Sequence, residues 1–276
     1  MLLTLSVLCV RITVAKEETT MATRLKIISF NMRMNNPGDG INAFPNRKGR
    51  IKEFIDGCDA DVIGFQEILP EMRDFLVEAF PNYYMVGVGR GRNYDDESAL
   101  IAFRKDKMEL ISCDTVMLST TPRVFGSRYD GSDQSHCPRE YVKAFLKHKD
   151  IDEPFYVYNV HTDHLGVMAR EFASLQMLQD MCSHNYKVFF TGDFNAQPNE
   201  RSIKMIVENS TRPMVDAVGG TITFHNFGKI IDGDAKIDYI FADKDTRVVE
   251  SAIVADEGVD GVYISDHYPI WAIFEV

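Results

Sequence analysis

The chain has 276 residues, of which 45% are hydrophobic and 26% are charged, and its formal net charge is −11. This composition is typical of a folded protein with a large core, and the acidic balance excludes tight nucleic-acid binding through a general surface charge. Beyond the N-terminal residues, no stretch approaches the ~18 consecutive apolar residues that a membrane span needs. An acidic protein can still handle phosphate through a bound divalent cation.

The first half of the chain alternates short apolar runs with amphipathic stretches. The apolar runs predict strands over residues 25–32, 61–68, 83–88, 98–104 and 108–118. Helical spacing of apolar residues predicts helices over residues 50–58 and near 71–79. A polar loop over residues 119–138 follows.

The second half repeats this alternation. It predicts strands over residues 140–148, 154–161, 187–193, 236–242, 247–255 and 267–276, and helices over 170–182 and 202–209. Because no Pro/Gly/Ser-rich linker divides the halves, residues 23–276 are predicted to form one α+β domain in which two sheets pack face to face with helices outside. The loops over residues 35–46 and 119–138 are the expected rims of a cleft.

The cysteines and the N-terminus bear on the compartment. The five cysteines are scattered and include no CxxC pair, which favours reduced thiols in a cytoplasm over disulfides or a zinc site. Residues 1–22 are interpreted as a leader or a disordered segment, with Met21 as an alternative start. The apolar run at the N-terminus follows no basic residue and precedes no A-x-A site, so a secretion signal is the less favoured interpretation.

Eight polar residues stand where apolar strands begin or end: Asn31, Glu67, His161, Asp193, Asn195, Asp238, Asp266 and His267. Strand ends that share one edge of a sandwich can form a single site. Carboxylate and amide oxygens suit Mg²⁺, whereas the histidines lack the H-E-x-x-H pattern or cysteine partners of a zinc site and suit proton transfer or phosphate binding. The set therefore predicts metal-assisted hydrolysis of a phosphate ester.

Each of these residues also has a simpler interpretation when it is taken alone. Asn31 could end a strand in a turn, Glu67 could be a solvated carboxylate, and Asp193 with Asn195 could form an Asx-turn. Independent turn residues have no reason to supply a complete phosphate-hydrolysing set in this order. The combination favours a functional site.

Six motifs now show a family resemblance. "SFNMR", "GFQEI", "NVHTDH", "TGDFNAQP", "IDYIF" and "SDHYPI" occur in this order between Ser29 and Ile270. Together they resemble the endonuclease/exonuclease/phosphatase superfamily, which includes deoxyribonuclease I, and "NPGDG" and "NRKGRI" resemble a bacterial branch nearest its deadenylases. The resemblance implies a four-layer αββα sandwich, with the site at one end of the two sheets. It also implies Mg²⁺ as the cofactor, with Mn²⁺ as an alternative, and Asn31, Glu67 and Asp266 as metal ligands.

The resemblance further implies roles for the other five residues. By position, His161 stabilises the phosphate, while Asp193 and Asn195 position the attacking water and the scissile phosphate. Asp238 orients His267. Whether Asp193 or His267 takes the proton from water is left open, and the two are predicted jointly as the base system.

The substrate is the least determined part of the prediction. The leading hypothesis is a phosphodiester, in a short single-stranded nucleic acid or a nucleotide-like molecule, that Arg123, Arg128 and Arg139 contact together with rim aromatics such as Tyr129. One alternative is a phosphatase acting on a small sugar or inositol phosphate. The other is a non-catalytic binding module, which the intact set of acids and histidines disfavours. No stable membrane association is expected, since no hydrophobic docking hairpin is evident, and the oligomeric state is left open.

Overall fold

The computed structural model describes residues 22–276. Its strands, in chain order, are β1 (Arg24–Asn31), β2 (Val62–Ile68), β3 (Tyr83–Val86), β4 (Ser98–Arg104), β5 (Met108–Met117), β6 (Glu140–His148), β7 (Phe155–His161), β8 (Lys187–Asp193), β9 (Met214–Asp216), β10 (Asp238–Asp243), β11 (Arg247–Ile253) and β12 (Ile270–Glu275). Its α-helices are α1 (Phe44–Cys58), α2 (Pro70–Ala79), α3 (Val167–Met181) and α4 (Arg201–Val207). The predicted leader, residues 1–22, lies outside the described residues except for Ala22.

The strands form two six-stranded sheets with similar central pairs. The first sheet has the order β11-β12-β1-β2-β4-β3, and the second has the order β5-β6-β7-β8-β10-β9. β1 runs parallel to β2 and β7 runs parallel to β8, while the other neighbours are antiparallel. A helix connects each parallel pair, α1 in the first sheet and α3 in the second, as a parallel crossover requires.

Three apolar cores hold four layers together. Residues from both sheets, including Ile27, Phe189 and Phe274, fill the core between the sheets. The outer face of the first sheet packs against α1 and α2 through residues such as Ile51, and the outer face of the second sheet packs against α3 and α4 through residues such as Met177. The central strands are buried on both faces, which explains their continuous apolar runs. The predicted αββα sandwich is confirmed.

Several predicted boundaries were wrong. α1 begins at Phe44 rather than Arg50, because Pro45 suits the first turn of a helix, and a short 3₁₀ segment (Pro37–Asn42) occupies much of the predicted loop. β12 begins at Ile270, since the preceding residues turn into the site. The three-residue strand β9 was missed because so short a run carries no periodicity.

Two further findings concern the part of the chain that the structure describes. The four cysteines within it, Cys58, Cys113, Cys137 and Cys182, are unpaired. None of its helices combines the length and the apolar character that crossing a membrane requires.

Candidate active site

The carboxyl ends of the two parallel strand pairs meet at one end of the sandwich. Asn31 ends β1, His161 ends β7 and Asp193 ends β8. Asn31 links the two sheets, because its Nδ2 donates to Glu67 Oε1 (3.1 Å) in the first sheet and to Asp193 Oδ2 (2.9 Å) in the second. The strand ends therefore form one buried cluster, as the sequence predicted.

Glu67 reaches this cluster through an irregular backbone. The pairing of β2 with β4 shifts register between Phe65 and Ile68, and Glu67 adopts a φ of 63°, which is uncommon for a residue other than glycine. The Met34 amide donates to Glu67 Oε2 (2.8 Å). Burial raises the pKa of Glu67, but the Met34 amide, the charge of His267 and the Asn31 amide outweigh burial and hold the pKa below its ordinary value.

The segment from Gly192 to Asn195 fixes Asp193. A Cβ at Gly192 would lie 2.5 Å from the backbone oxygen of Val160, so only glycine allows β7 and β8 to approach this closely. The Asn195 amide donates to Asp193 Oδ1 (2.9 Å), and Asn195 Nδ2 donates to the Thr162 carbonyl (3.2 Å). Asn195 itself has a φ of 46°. Asp193 and Asn195 thus form an Asx-turn, and the Asp193 carboxylate also contacts Asn31 in the site.

His267 and Asp238 form a buried ion pair. Asp238 Oδ2 lies 2.9 Å from His267 Nδ1. Burial lowers the pKa of His267, but the adjacent carboxylates of Asp238, Asp193 and Asp266 raise it to about 10, so the ring is protonated at neutral pH. His267 Nε2 lies 3.7 Å from Asp193 Oδ2.

Asp193 and His161 have environments that oppose their charged forms. Burial, followed by the charge of Asp238, raises the pKa of Asp193 to about 7. Burial, followed by the charges of Arg139 and Arg90, lowers the pKa of His161 well below its ordinary value. His161 is therefore a neutral imidazole whose Nε2 lies 3.5 Å from Asp193 Oδ2.

Asp266 completes an oxygen-rich group that fits a hard divalent cation. Burial, and then the negative charge of Glu67, raise the pKa of Asp266, while Arg33 Nε lies 3.7 Å from its carboxylate. Asn31 Nδ2 stands between the Glu67 and Asp193 carboxylates, where a cation would be stabilised by both charges. Glu67, His161 and Asp193 also offer ligand atoms within 4.8 Å of one another. Several carboxylates and one side-chain amide therefore lie close together, and oxygen ligands of these kinds suit Mg²⁺ or Mn²⁺.

The three predicted substrate-binding arginines lie in different places. Arg139 is buried beside the site, where its Nη2 lies 3.0 Å from His164 Nδ1 and its Nε lies 3.8 Å from Asp163 Oδ2. Arg123 and Arg128 line a separate cleft of about 730 Å³. Arg123 pairs there with Asp114, and Arg128 donates to the Ser135 carbonyl. The predicted rim aromatic Tyr129 is instead buried, with its hydroxyl bonded to Gln176.

A buried arginine missed by the sequence analysis accompanies Arg139. Arg90 Nη2 binds Glu97 Oε1 (2.8 Å), and Glu140 lies close enough for its charge to act on Arg90. Among residues 22–276, Arg90 Nε and the Nε and Nη1 atoms of Arg139 have no hydrogen-bond partner. Both guanidinium groups act electrostatically on His161. The glycine-flanked "VGVGRGRN" was the only sequence signal for Arg90.

A layer of buried polar side chains supports the site from below. Gln66 Nε2 donates to Asn159 Oδ1 (2.7 Å) and to Ser29 Oγ (3.2 Å), and Thr191 Oγ1 donates to Asn159 Oδ1 (3.0 Å). Ser29, Asn159 and Thr191 each lie two positions before the site residue that ends their strand, and Gln66 directly precedes Glu67. The layer therefore fixes the register of one sheet against the other at the site.

A large cavity lies away from this cluster. It has a volume of about 1140 Å³ and is lined by Phe155, where β7 begins, and by the chain end at Val276. It therefore lies at the opposite end of β7 from His161. The chemistry of the side chains, and not cavity size, locates the site.

Sequence comparison decides the family. The profile described as Endonuclease/Exonuclease/phosphatase family matches residues 28–267. The chain belongs to this family. It is accordingly a phosphoric ester hydrolase, of a family whose enzymes are generally dependent on divalent metals. No functionally curated protein matches the chain.

Solved structures agree with this membership. An endonuclease/exonuclease/phosphatase from Bacteroides vulgatus is 31% identical, with a TM-score of 0.85 over 92% of this chain and 99% of that chain. A mannosyl-6-phosphatase from Bacteroides thetaiotaomicron is 26% identical, with a TM-score of 0.82 over 91% of this chain and 99% of that chain. D. rerio TDP2, complexed with a single-strand DNA product, is 19% identical, with a TM-score of 0.72 over 92% of this chain and 100% of that chain, and shows the fold alone.

Proposed function

We propose that this protein is a phosphatase that uses Mg²⁺, or alternatively Mn²⁺, to hydrolyse a phosphomonoester of a small sugar-like molecule. The observation that carries the proposal is the pair of buried guanidinium groups, Arg90 and Arg139, beside His161. The proposal selects the small-phosphate alternative of the sequence analysis over its leading phosphodiester hypothesis.

The charge of the buried groups supports a monoester. A terminal phosphate monoester carries up to two negative charges and three non-bridging oxygens, whereas a diester carries one charge and two such oxygens. Three guanidinium nitrogens, Nε of Arg90 and both Nε and Nη1 of Arg139, have no hydrogen-bond partner among residues 22–276. Charge-assisted hydrogen bonds to phosphate are among the strongest that proteins make.

The roles of the residues follow from their protonation. Asp193 loses its proton near neutral pH and can accept one from water, whereas His267 is already protonated and suits donation to a phosphoryl oxygen. Asp238 holds the His267 ring by its Nδ1 proton. Neutral His161 can donate one further hydrogen bond, and Asn195 fixes the Asp193 carboxylate.

Hydrolysis then needs one water and one bond exchange. The water oxygen bonds to phosphorus, its proton passes to Asp193, the bond from phosphorus to the ester oxygen breaks, and the alcohol takes a proton from solvent. Held by Glu67, Asp266 and Asn31, the divalent cation would neutralise charge on the phosphate and on the leaving oxygen. Asp193 ends β8 of the second sheet, whereas Asn31 and Glu67 lie on the first sheet and Asp266 precedes β12, so we expect attack and departure on different sides of the phosphate.

One observation favours a second candidate function, hydrolysis of a short single-stranded nucleic acid. The cleft of about 730 Å³ is lined by Arg92, Arg123 and Arg128, and the rings of Tyr94 and Phe125 lie 4.6 Å apart in its wall. Arginines and aromatic rings in one groove are the usual platform for single strands. Arg123 is compensated by Asp114, which weakens this candidate.

A substrate panel distinguishes these functions. We expect the wild-type protein with Mg²⁺ to release phosphate from a hexose 6-phosphate at least 10-fold more efficiently than it cleaves bis-p-nitrophenyl phosphate or labelled single-stranded RNA and DNA. An inositol monophosphate tests the other small-molecule alternative, and Asp193→Asn is the blank. Oligonucleotide shortening without phosphate release from any monoester would overturn the proposal in favour of the nuclease. Metal binding without turnover of any substrate would revive the binding module.

A further inference from the structure

A third cavity opens beside the candidate metal ligands. It has a volume of about 500 Å³, and its walls come from the 3₁₀ segment, from the loop at residues 226–229 and from residues 261–266. The lining side chains that matter here are Arg33, Asp39, Asn226, Phe227, Tyr263 and Asp266. Because Asp266 belongs both to this cavity and to the metal site, a ligand in the cavity can be continuous with a phosphate at the metal.

The loop at residues 226–229 is held in an unusual conformation. Asn226 and Phe227 have φ values of 47° and 54°, in the left-handed region that residues other than glycine rarely adopt, and Gly228 follows with a φ of 75°. A Cβ at Gly228 would collide with the Tyr263 hydroxyl. Such strain persists only where the surroundings impose it, and it is concentrated at sites that grip ligands.

The loop at residues 226–229 is held in place by residues of the candidate active site. The amides of His225 and Asn226 both donate to the Asp266 carbonyl, at 2.9 and 3.0 Å. The His225 ring stacks on Tyr268 with a centroid distance of 4.0 Å. The wall of the cavity is therefore built directly on the backbone of a predicted metal ligand, and the position of Phe227 is fixed relative to the phosphate site.

The charges in the cavity favour an uncharged, polar occupant. Asp39 binds Arg33 through two hydrogen bonds, of 2.9 and 3.0 Å, so the guanidinium charge is already compensated. Lys229 is exposed at the rim. Binding a second phosphate here would need several positively charged side chains without a carboxylate partner. The carboxylate, amide and hydroxyl groups that line the cavity are instead suited to hydrogen bonds with the hydroxyls of a polyol.

Two aromatic rings supply the apolar part of the same cavity. The rings of Phe227 and Tyr263 lie 6.4 Å apart at an angle of 55°. A pyranose has an apolar C–H face and a rim of hydroxyls, which match an aromatic face flanked by polar groups. Asp39 and Asn226 stand at that flank.

We infer that this cavity binds the alcohol part of the substrate, that the alcohol is an uncharged polyol of hexose size, and that Phe227 and Tyr263 determine this specificity. The inference rests on the proposed phosphatase function. In an in-line displacement the alcohol leaves opposite the attacking water. Since Asp193 holds the water on the second sheet, the alcohol departs on the side of Asp266, where the cavity lies.

The test compares two monoesters with similar alkoxide leaving groups, a hexose 6-phosphate and ethyl phosphate. We expect Phe227→Ala to lower kcat/KM for the hexose 6-phosphate about 10- to 100-fold, as loss of a buried aromatic contact implies, and to change kcat/KM for ethyl phosphate less than about threefold. Tyr263→Phe, which removes only a hydroxyl, should lower the hexose value about 3- to 10-fold. Tyr84→Ala, a truncated aromatic residue exposed on β3, is the matched control.

The possible outcomes distinguish a failure of the polyol-binding inference from a failure of the proposed phosphatase function. Equal losses on both substrates, or no loss on either, in folded Phe227→Ala and Tyr263→Phe would overturn the inference and leave the phosphatase standing. A wild-type protein that cleaves bis-p-nitrophenyl phosphate but neither monoester would overturn the proposed function itself. If Phe227→Ala does not fold, the nearly isosteric Tyr263→Phe still decides, because unchanged hexose selectivity in that variant contradicts the inference.

Discussion

The two sheets contribute different chemistry to the same site. Asn31 and Glu67 of the first sheet contact each other and are the proposed metal ligands, whereas His161 and Asp193 of the second sheet are the residues proposed to position phosphate and water. The backbone differs as well, because Glu67 needs a register shift and a φ of 63°, while His161 and Asp193 simply end regular strands. Under the proposed roles, cation binding depends on a strained local geometry, and proton transfer depends on the register between the sheets.

The largest effect is expected on the second sheet. Asp193→Asn keeps the size of the side chain but removes the only group at this position that can accept a proton near neutral pH. We expect kcat to fall roughly 10³-fold or more, with the thermal midpoint near that of the wild type. Steady-state hydrolysis of a hexose 6-phosphate measures this. More than a tenth of the wild-type rate would break the assignment of Asp193 as base.

Asp238→Asn tests whether the ion pair between Asp238 and His267 keeps the His267 ring protonated. Without the Asp238 charge, the pKa of His267 should fall from about 10 toward its ordinary value of 6.5, and kcat should fall about 10²-fold. NMR titration of the ring in metal-free protein measures the pKa. Because the folded pKa is raised, the contribution of the pair to stability is complete below pH 6.5 and is lost as the pH rises through about 10. An unchanged titration would show that Asp238 does not set the charge of His267.

Arg139→Gln separates the two classes of substrate. Loss of a charge-assisted contact to phosphate should raise KM for a hexose 6-phosphate roughly 10- to 100-fold. Bis-p-nitrophenyl phosphate should be affected less, since it has fewer non-bridging oxygens to bind. Arg104→Gln at the far end of β4, which removes a paired surface arginine, is the control. Equal effects of Arg139→Gln on the monoester and the diester would remove the main support for a monoester.

Asn159→Leu is expected to have the smallest effect on catalysis. Its main effect should be on stability, because Asn159 belongs to the polar layer that joins the two sheets. This substitution leaves Gln66 and Thr191 without their shared acceptor in a buried layer. The free energy of unfolding should fall by about 1–3 kcal/mol, because the substitution removes these bonds and the bonds that Asn159 Nδ2 donates to the carbonyls of Phe65 and Leu100. Urea denaturation measures this change. Activity per folded molecule should fall less than about 10-fold. A stable variant would show that the polar layer does not join the sheets.

The sequence was sufficient where chemistry followed strand ends. Asn31, His161 and Asp193 each terminate an apolar run and Asp238 begins one, so their convergence could be predicted. Arg90 could not be found this way, because its partners Glu97 and Glu140 lie on other segments and only the folded chain brings the three together. The same limit applies to Phe227 and Tyr263, whose rings meet through a loop conformation that no local pattern indicates.

We propose that the first sheet binds the cation and that the second sheet activates water. Calorimetric titration of two variants with Mg²⁺ tests this most directly. Glu67→Gln, on the first sheet, should raise the Kd for Mg²⁺ at least 10-fold by removing a ligand charge. Asp193→Asn, on the second sheet, removes a nearby charge but no proposed ligand, so it should raise the Kd several-fold less than Glu67→Gln does even though turnover is lost. The opposite pattern, with Mg²⁺ binding intact in Glu67→Gln and lost in Asp193→Asn, would place the cation on the second sheet and contradict this account.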